Sequence, residues 1–339
     1  EGNSNLKKEQ GLKSRLKIEG SIDDPKILGN IDLYIPKIRM EEQDLSARET
    51  SFKAKFEGQK ISLEIGLLLG GSPLEIKGEI EHKNLMPEKV DISIKGKRVL
   101  LIRTDQIYGR TDIDLKLLGE LEYSSNLPKF KGELKGKIDI EELIVKLRMS
   151  LESSGSSGGA TLPPLEFPFL DLALDLGINF PKISINNNLL KIETVGNISV
   201  KGDLASPQIR GWFTTNSGKL FLPQGIMNIS ECIVNLKPEE PLVPNIEIKA
   251  ETRVRDFTIF VLVRGKPGDL VIDFFSVPPL TKEDILFLLL TGATQSELSG
   301  SAAEKLKETG SFILMQQFLN AIGIGDYVSA QVTEESATI

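Results

Sequence analysis

The stretch FKGELKGKIDI, residues 130–140, alternates with period two. Phe130, Gly132, Leu134, Gly136, Ile138 and Ile140 fall on one parity, and Lys131, Glu133, Lys135, Lys137 and Asp139 on the other. A strand sends successive side chains to opposite faces, so this one has an apolar side and a charged side. The fold turns on what the apolar side buries: another sheet of the same chain, or something that is not protein.

The pattern recurs along the chain. Ile61, Leu63, Ile65, Leu67 and Leu69 share a parity, and Leu74, Ile76, Gly78 and Ile80 alternate with acids and a lysine. Leu170, Leu172, Leu174, Leu176, Ile178 and Phe180 form the longest row; Ile246, Ile248, Ala250, Thr252 and Val254 form another, and Phe257, Ile259, Val261 and Val263 a last one. Such runs predict half-buried strands. Turn residues punctuate them at Asp23-Asp24-Pro25, Gly70-Gly71-Ser72-Pro73, Ser206-Pro207 and Lys266-Pro267-Gly268. No helical period appears before residue 278. The reading is all-β and antiparallel-rich.

The chain has 339 residues, 40% apolar, 26% charged and only 6% aromatic, with a net charge of −7. Its apolar faces are therefore built mostly from Leu, Ile and Val. Acidic and basic residues interleave, which argues against a nucleic-acid partner, since that needs a clustered basic footprint. No run of 18 apolar residues occurs, so no segment reads as a transmembrane helix. The chain reads as the C-terminal part of a longer protein, with any export signal or membrane anchor upstream.

SLESSGSSGGATLPPLEFP, residues 150–168, is Ser/Gly-rich and then Pro-rich, and predicts a linker or long loop at 153–164. A degenerate Pro-x-apolar-x-Gly motif recurs at Pro25–Gly29, Pro128–Gly132 and Pro207–Gly211. Proline fits the start of a strand, and the glycine admits a bulge or bend that curves a sheet. After Pro278-Pro279 the character changes. Thr281 can cap a helix with Asp284 as the capping-box acid, Gly292 suits its exit, and residues 285–290 are all apolar. A helix greasy all round must be buried or touch lipid. A second helix is predicted over 302–320.

Catalytic and metal constellations are not expected. His82 is the only histidine and Cys232 the only cysteine, so a Cys/His zinc cage cannot form. A Ser-His-Asp triad would need His82, which reads as a solvated loop residue in EHKNLMP. The pairs Asp112/Asp114 and Glu120/Glu122 read as charged outer face rather than as a glycosidase pair. Cys232 reads as a small buried hydrophobe. Neither an enzymatic activity nor a cofactor is expected.

An aliphatic face with glycine gaps suits acyl chains, although glycine there can equally mark bends in a dry sandwich. Roughly 20 strands spaced about 4.8 Å apart would extend on the order of 90–100 Å. A one-sided sheet of that size, folded into a trough, leaves a long apolar gutter to be filled. The rows predicted to line it are Ile61, Leu63, Ile65, Phe130, Leu134, Ile138, Ile140, the Leu170–Phe180 series, Ile246, Ile248, Val261 and Val263.

From Val195 to Gly292 the chain resembles the C-terminal domain of the TamB family, in the wider AsmA-like group. The resemblance is carried by GNISVKGDLASPQIRGWFTTNSGKLFLPQGIMNISECIVNL, by VPNIEIKAETRV, and by DFFSVPPLTKEDILFLLLTG. Its motif residues are Pro207, Gly211, Gly218, Pro223, Gly265, Ser276, Pro278, Pro279, Leu280 and Gly292. The resemblance implies an elongated, curved, trough-like sheet (a β-taco) with an apolar lumen. Residues 1–152 would be its N-terminal part, 165–277 the TamB-type β region and 278–339 a helical segment and tail. It further implies an envelope protein of the periplasm, held in the inner membrane by an N-terminal anchor. Two roles are implied, phospholipid movement between inner and outer membranes and, with a barrel of the TamA/BamA type, outer-membrane protein assembly. A structural or adhesive extracellular β-protein is the remaining alternative.

Overall fold

The computed structural model describes residues 10–21, 24–40, 45–104, 107–123, 128–145, 169–186, 190–215, 217–222, 224–266, 269–294 and 297. The expected 153–164 linker, the helix at 302–320 and Pro223 lie outside these residues. Among them are sixteen strands and one helix, so the chain is all-β, as the alternation predicts. The strands divide between two compact units.

The first unit holds β1 (Gly11–Ser21), β2 (Asp24–Met40), β3 (Leu45–Gly58), β4 (Lys60–Leu69), β5 (Ser72–Lys83), β6 (Met86–Arg103), β7 (Ile107–Glu122) and most of β8 (Lys129–Val145). It also takes β9 (Leu170–Asn186) through Pro181 and β10 (Leu190–Asp203) from Ile198. The strands follow one another in sequence order, and β1 to β7 pair antiparallel. Tight two-residue turns set the register: Gly70-Gly71 and Asn84-Leu85 each have both φ angles positive, the backbone that matches the twist of a hairpin.

The second unit takes the rest of β9 and β10 with β11 (Gln208–Thr215) from Ile209, β12 (Gly218–Leu222), β13 (Gly225–Lys237), β14 (Glu240–Val254), β15 (Phe257–Lys266), β16 (Asp269–Val277) and helix α1 (Lys282–Thr291). Here β11 pairs with β13, and short β12 pairs with β10 and β13. β13 to β16 form an antiparallel meander. The division between the two units falls within β9 and β10.

Helix α1 starts and stops where its caps dictate. The Thr281 hydroxyl accepts from the Asp284 N–H at 3.2 Å and donates to the Asp284 carboxylate at 2.9 Å. Gly292, at φ 75°, donates its N–H to the Leu288 carbonyl, a left-handed exit that costs glycine nothing sterically. The polypyrrolidine entry is clamped by Ser276, whose hydroxyl donates to the Pro278 carbonyl and accepts from the Leu280 N–H, both at 2.8 Å.

Candidate functional site: the apolar face

In the first unit, register converts the alternation into rows that run across the strands. Leu12, Leu33, Phe52, Ile65, Ile76, Ile94 and Leu115 are successive cross-strand partners from β1 to β7. The next row runs Ser14, Ile31, Ala54, Leu63, Gly78, Ile92 and Leu117, and a third includes Phe56, Ile61, Ile80 and Val90. Cross-strand neighbours on one face stand about 4.5–5.5 Å apart, so the rows merge into one aliphatic surface.

That surface is only half covered. Ile61, Leu63, Ile65, Ile76, Ile92, Ile94, Leu115 and Leu117 are all half-buried. Leu12, Leu16 and Ile18 on β1 are exposed outright. A compact buried cluster forms at one end, where Leu45, Ala47, Leu69, Val99 and Leu100 meet. Sheet packing against a second layer would close such rows to water; here they stay half-buried.

β8 and β9 continue the pattern within this unit. Leu134, Ile138 and Ile140 are half-buried. In the β9 row Leu172 and Leu174 are buried, while Leu170, Leu176, Ile178 and Phe180 are half-buried. Phe130 has a more local role. A Cβ on Gly119 would lie 2.4 Å from its ring and one on Gly132 2.6 Å, so the ring lies over the two glycine gaps and fills them, as an aromatic does when it rescues glycine in a sheet.

The opposite face is charged. Lys60 pairs with Glu79 at 2.7 Å, Lys116 with Asp91 at 3.1 Å and Lys89 with Glu120 at 3.9 Å. Glu120 and Glu122 join Glu79, Glu81, Lys89 and Lys131 in the wall of a groove of about 640 Å³ on this side. Asp112 accepts the Arg98 N–H at 2.6 Å, and Asp114 lies 3.7 Å from Lys95. Asp112, Asp114 and Glu120 thus have cationic or backbone partners, and Glu122 is an exposed surface group.

In the second unit the same kind of face is closed. Ile246, Ile248, Val261 and Val263 are buried in a continuous core with Leu220, Met227, Ile229 and Ile259. Ile285, Leu286, Leu288 and Leu289 of α1 belong to that core. These four sheet positions, expected to line an open gutter, lie in a protein core with the helix. Periodicity identified the face but carries no information about its occupant. The motif residues serve the same region. Gly211 is buried in β11, Gly218 opens β12, Gly265 takes φ 128° in β15, and Leu280 packs against the core. Pro207 is half-buried in the β10–β11 connection, while Pro278 and Pro279 are exposed.

His82 corrects the sequence reading. It lies in β5, not in a loop, is 4% exposed, and neither ring nitrogen has a hydrogen-bond partner. The turn is only Asn84-Leu85, so the strand runs two residues further than the polar run EHKN suggests. Cys232 is half-buried against the second core, and burial pushes its thiol pKa up to about 11. Of the buried threonines, Thr252 stands in a row the alternation picks out, while Thr111 escaped sequence reasoning. Thr111 donates to the Asp139 carbonyl at 3.0 Å and Thr252 to the Ile226 carbonyl at 2.9 Å. A hydroxyl on an apolar parity, as at Thr252, was the available signal.

No curated protein and no solved structure matches the chain. A family model, the TamB C-terminal domain, matches residues 61–338. That match takes in the half-buried rows of β4 to β7, the closed core and α1, and by it the chain belongs to the TamB family.

Proposed function

We propose that this TamB-family envelope protein is a non-catalytic conduit for phospholipid acyl chains, moving lipid between inner and outer membranes. The carrying observation is the half-buried aliphatic surface from β1 to β7, backed by an ion-paired outer face. Covering apolar surface is favourable by about 25 cal/mol per Å², and acyl chains supply that cover without needing hydrogen bonds. The full protein would sit in the periplasm, anchored in the inner membrane. The test is mass spectrometry of what the purified chain carries, with Leu63→Asp and Ile92→Asp as probes. Both side chains are half-buried, so the variants should fold, and a charge in the acyl path should abolish lipid carriage. Unchanged carriage in both would falsify the route.

A second reading has its own observation. β16 has one strand neighbour, β15, among the described residues, and its outward Val271, Phe275 and Val277 are exposed. Such an edge can template another strand by β-augmentation, which fits assembly of outer-membrane proteins with a TamA/BamA-type barrel. Site-specific photocrosslinking from Phe275 to barrel precursors or to a barrel partner, with lipid carriage intact in a β16-edge variant, would favour this reading over the first.

A further inference from the structure

The helix α1 stands where the conduit reading, on which this inference rests, would place lipid. Its five consecutive residues Ile285, Leu286, Phe287, Leu288 and Leu289 are all buried. Five successive helical positions point around the whole circumference, so α1 has no polar side over this stretch. An ordinary surface helix shows a stripe. A helix without one can leave a sheet only for another apolar phase, and acyl chains are such a phase.

Its attachments are unequal. At the start, the Ser276 clamp ties Pro278 and Leu280 to the end of β16, and the Lys282 ammonium stands 5.8 Å from the centre of the Phe274 ring. Past the other end, Arg255 in the β14–β15 turn holds the Glu297 carboxylate through two contacts, at 3.0 and 2.8 Å. Glu297 also accepts the Thr294 N–H at 2.9 Å. That latch is half in water, and exposed ion pairs are weak. Gly292 abuts Gln224, between β12 and β13. The β12–β13 turn, the β14–β15 turn and the end of β16 are the same end of the antiparallel meander, so α1 spans the mouth of its apolar face.

We propose that α1 is a displaceable lid. It closes one end of the core that holds Ile248, Val261 and Val263, standing there in place of acyl chains, pivots at Ser276–Leu280 when the Arg255–Glu297 latch opens, and passes its own apolar surface to the arriving lipid. Exchange of one apolar partner for another leaves neither the sheet nor the helix facing water. The closed state is the one described here, and the occupant class that opens it is a phospholipid.

A disulfide tests this. A Cβ on Gly292 would lie 3.9 Å from the Gln224 Cγ, so the two positions adjoin, and closure of a bridge between them is verified first by loss of free thiol. Gln224→Cys/Gly292→Cys is made in a Cys232→Ser background and offered phosphatidylethanolamine/phosphatidylglycerol vesicles containing a photoactivatable acyl chain. The oxidised protein should lose labelling at Val261 and Val263, and reduction should restore it. Glu297→Gln should speed labelling about two- to fivefold, the range an exposed ion pair commands. Equal labelling of oxidised and reduced protein at these residues overturns the lid and leaves the conduit standing. Absence of labelling at Leu63 and Ile65 as well, in the reduced protein, overturns both. Because a cysteine at φ 75° is strained, the unaltered chain supplies a second measurement. Hydrogen exchange at the α1 amides should accelerate at least about tenfold with vesicles present, since the helix depends on tertiary packing; unchanged protection also overturns the lid.

Discussion

Two glycines show how far a single atom matters in this sheet. A Cβ on Gly136 would come within 2.1 Å of the Asp114 carbonyl oxygen, and its φ is 142°. On Gly29, at φ 132°, a Cβ would meet the Arg15 carbonyl oxygen at 1.9 Å. Neighbouring backbones pass where a side chain would begin, so Gly136→Ala must both strain φ and push β7 away. A loss of at least about 1–2 kcal/mol is expected, read as a lower denaturant midpoint with an unchanged slope. Cys232 gives a chemical readout. With its pKa raised to about 11 by burial, it stays protonated in the folded chain at pH 8–9 and should alkylate slowly there. Unfolded chain should react quickly. The sign for stability follows: a thiol that holds its proton only when folded contributes fully below about pH 8.5, and the contribution is lost as pH rises towards 11. Glycine on an apolar parity was readable as a bend from sequence. The burial of His82 was not, because its neighbours Glu81, Lys83 and Asn84 are polar and only the shortness of the turn places it in the strand.

At the scale of elements, α1 and the β4–β6 rows respond differently to the same insult. Leu288 is 0% exposed, and Leu288→Asp strands an unpaired carboxylate in a dry core. Several kcal/mol of destabilisation of the second unit is expected, seen as an earlier cooperative melt. Leu63 is half-buried, so Leu63→Asp should shift the midpoint by much less while ending lipid carriage. The contrast separates side chains that hold the fold from side chains that the conduit proposal turns towards lipid. The helix itself was legible to the residue: Thr281, Asp284 and Gly292 set its ends by local hydrogen bonding. What it covers was not legible, since period-two patterning fixes which face of β14 and β15 is apolar and is silent on whether lipid or α1 meets it.

For the molecule as a whole, the two units should report their different cores. Hydrogen exchange is expected to be slowest in β13 to β15, where Val263 and Ile259 are 0% exposed, and fastest in β1, whose eleven residues are all exposed. Anything that covers the β1–β7 rows should raise protection there by mass action, so acyl detergent above its micelle concentration should slow exchange in β4 to β6; no change would mean those rows are not a binding surface. High salt should do little, because the outer ion pairs are exposed and interleaved.

From β2 to β7 every strand hydrogen-bonds to the one made just before it and the one made just after. Such a ribbon is indifferent to its own length. Duplicating one hairpin adds two strands, about 9–10 Å of width, and leaves the direction and parity of everything downstream intact; adding a single strand would reverse both. Evolution can therefore lengthen or shorten this part of the protein in even steps without redesigning either end.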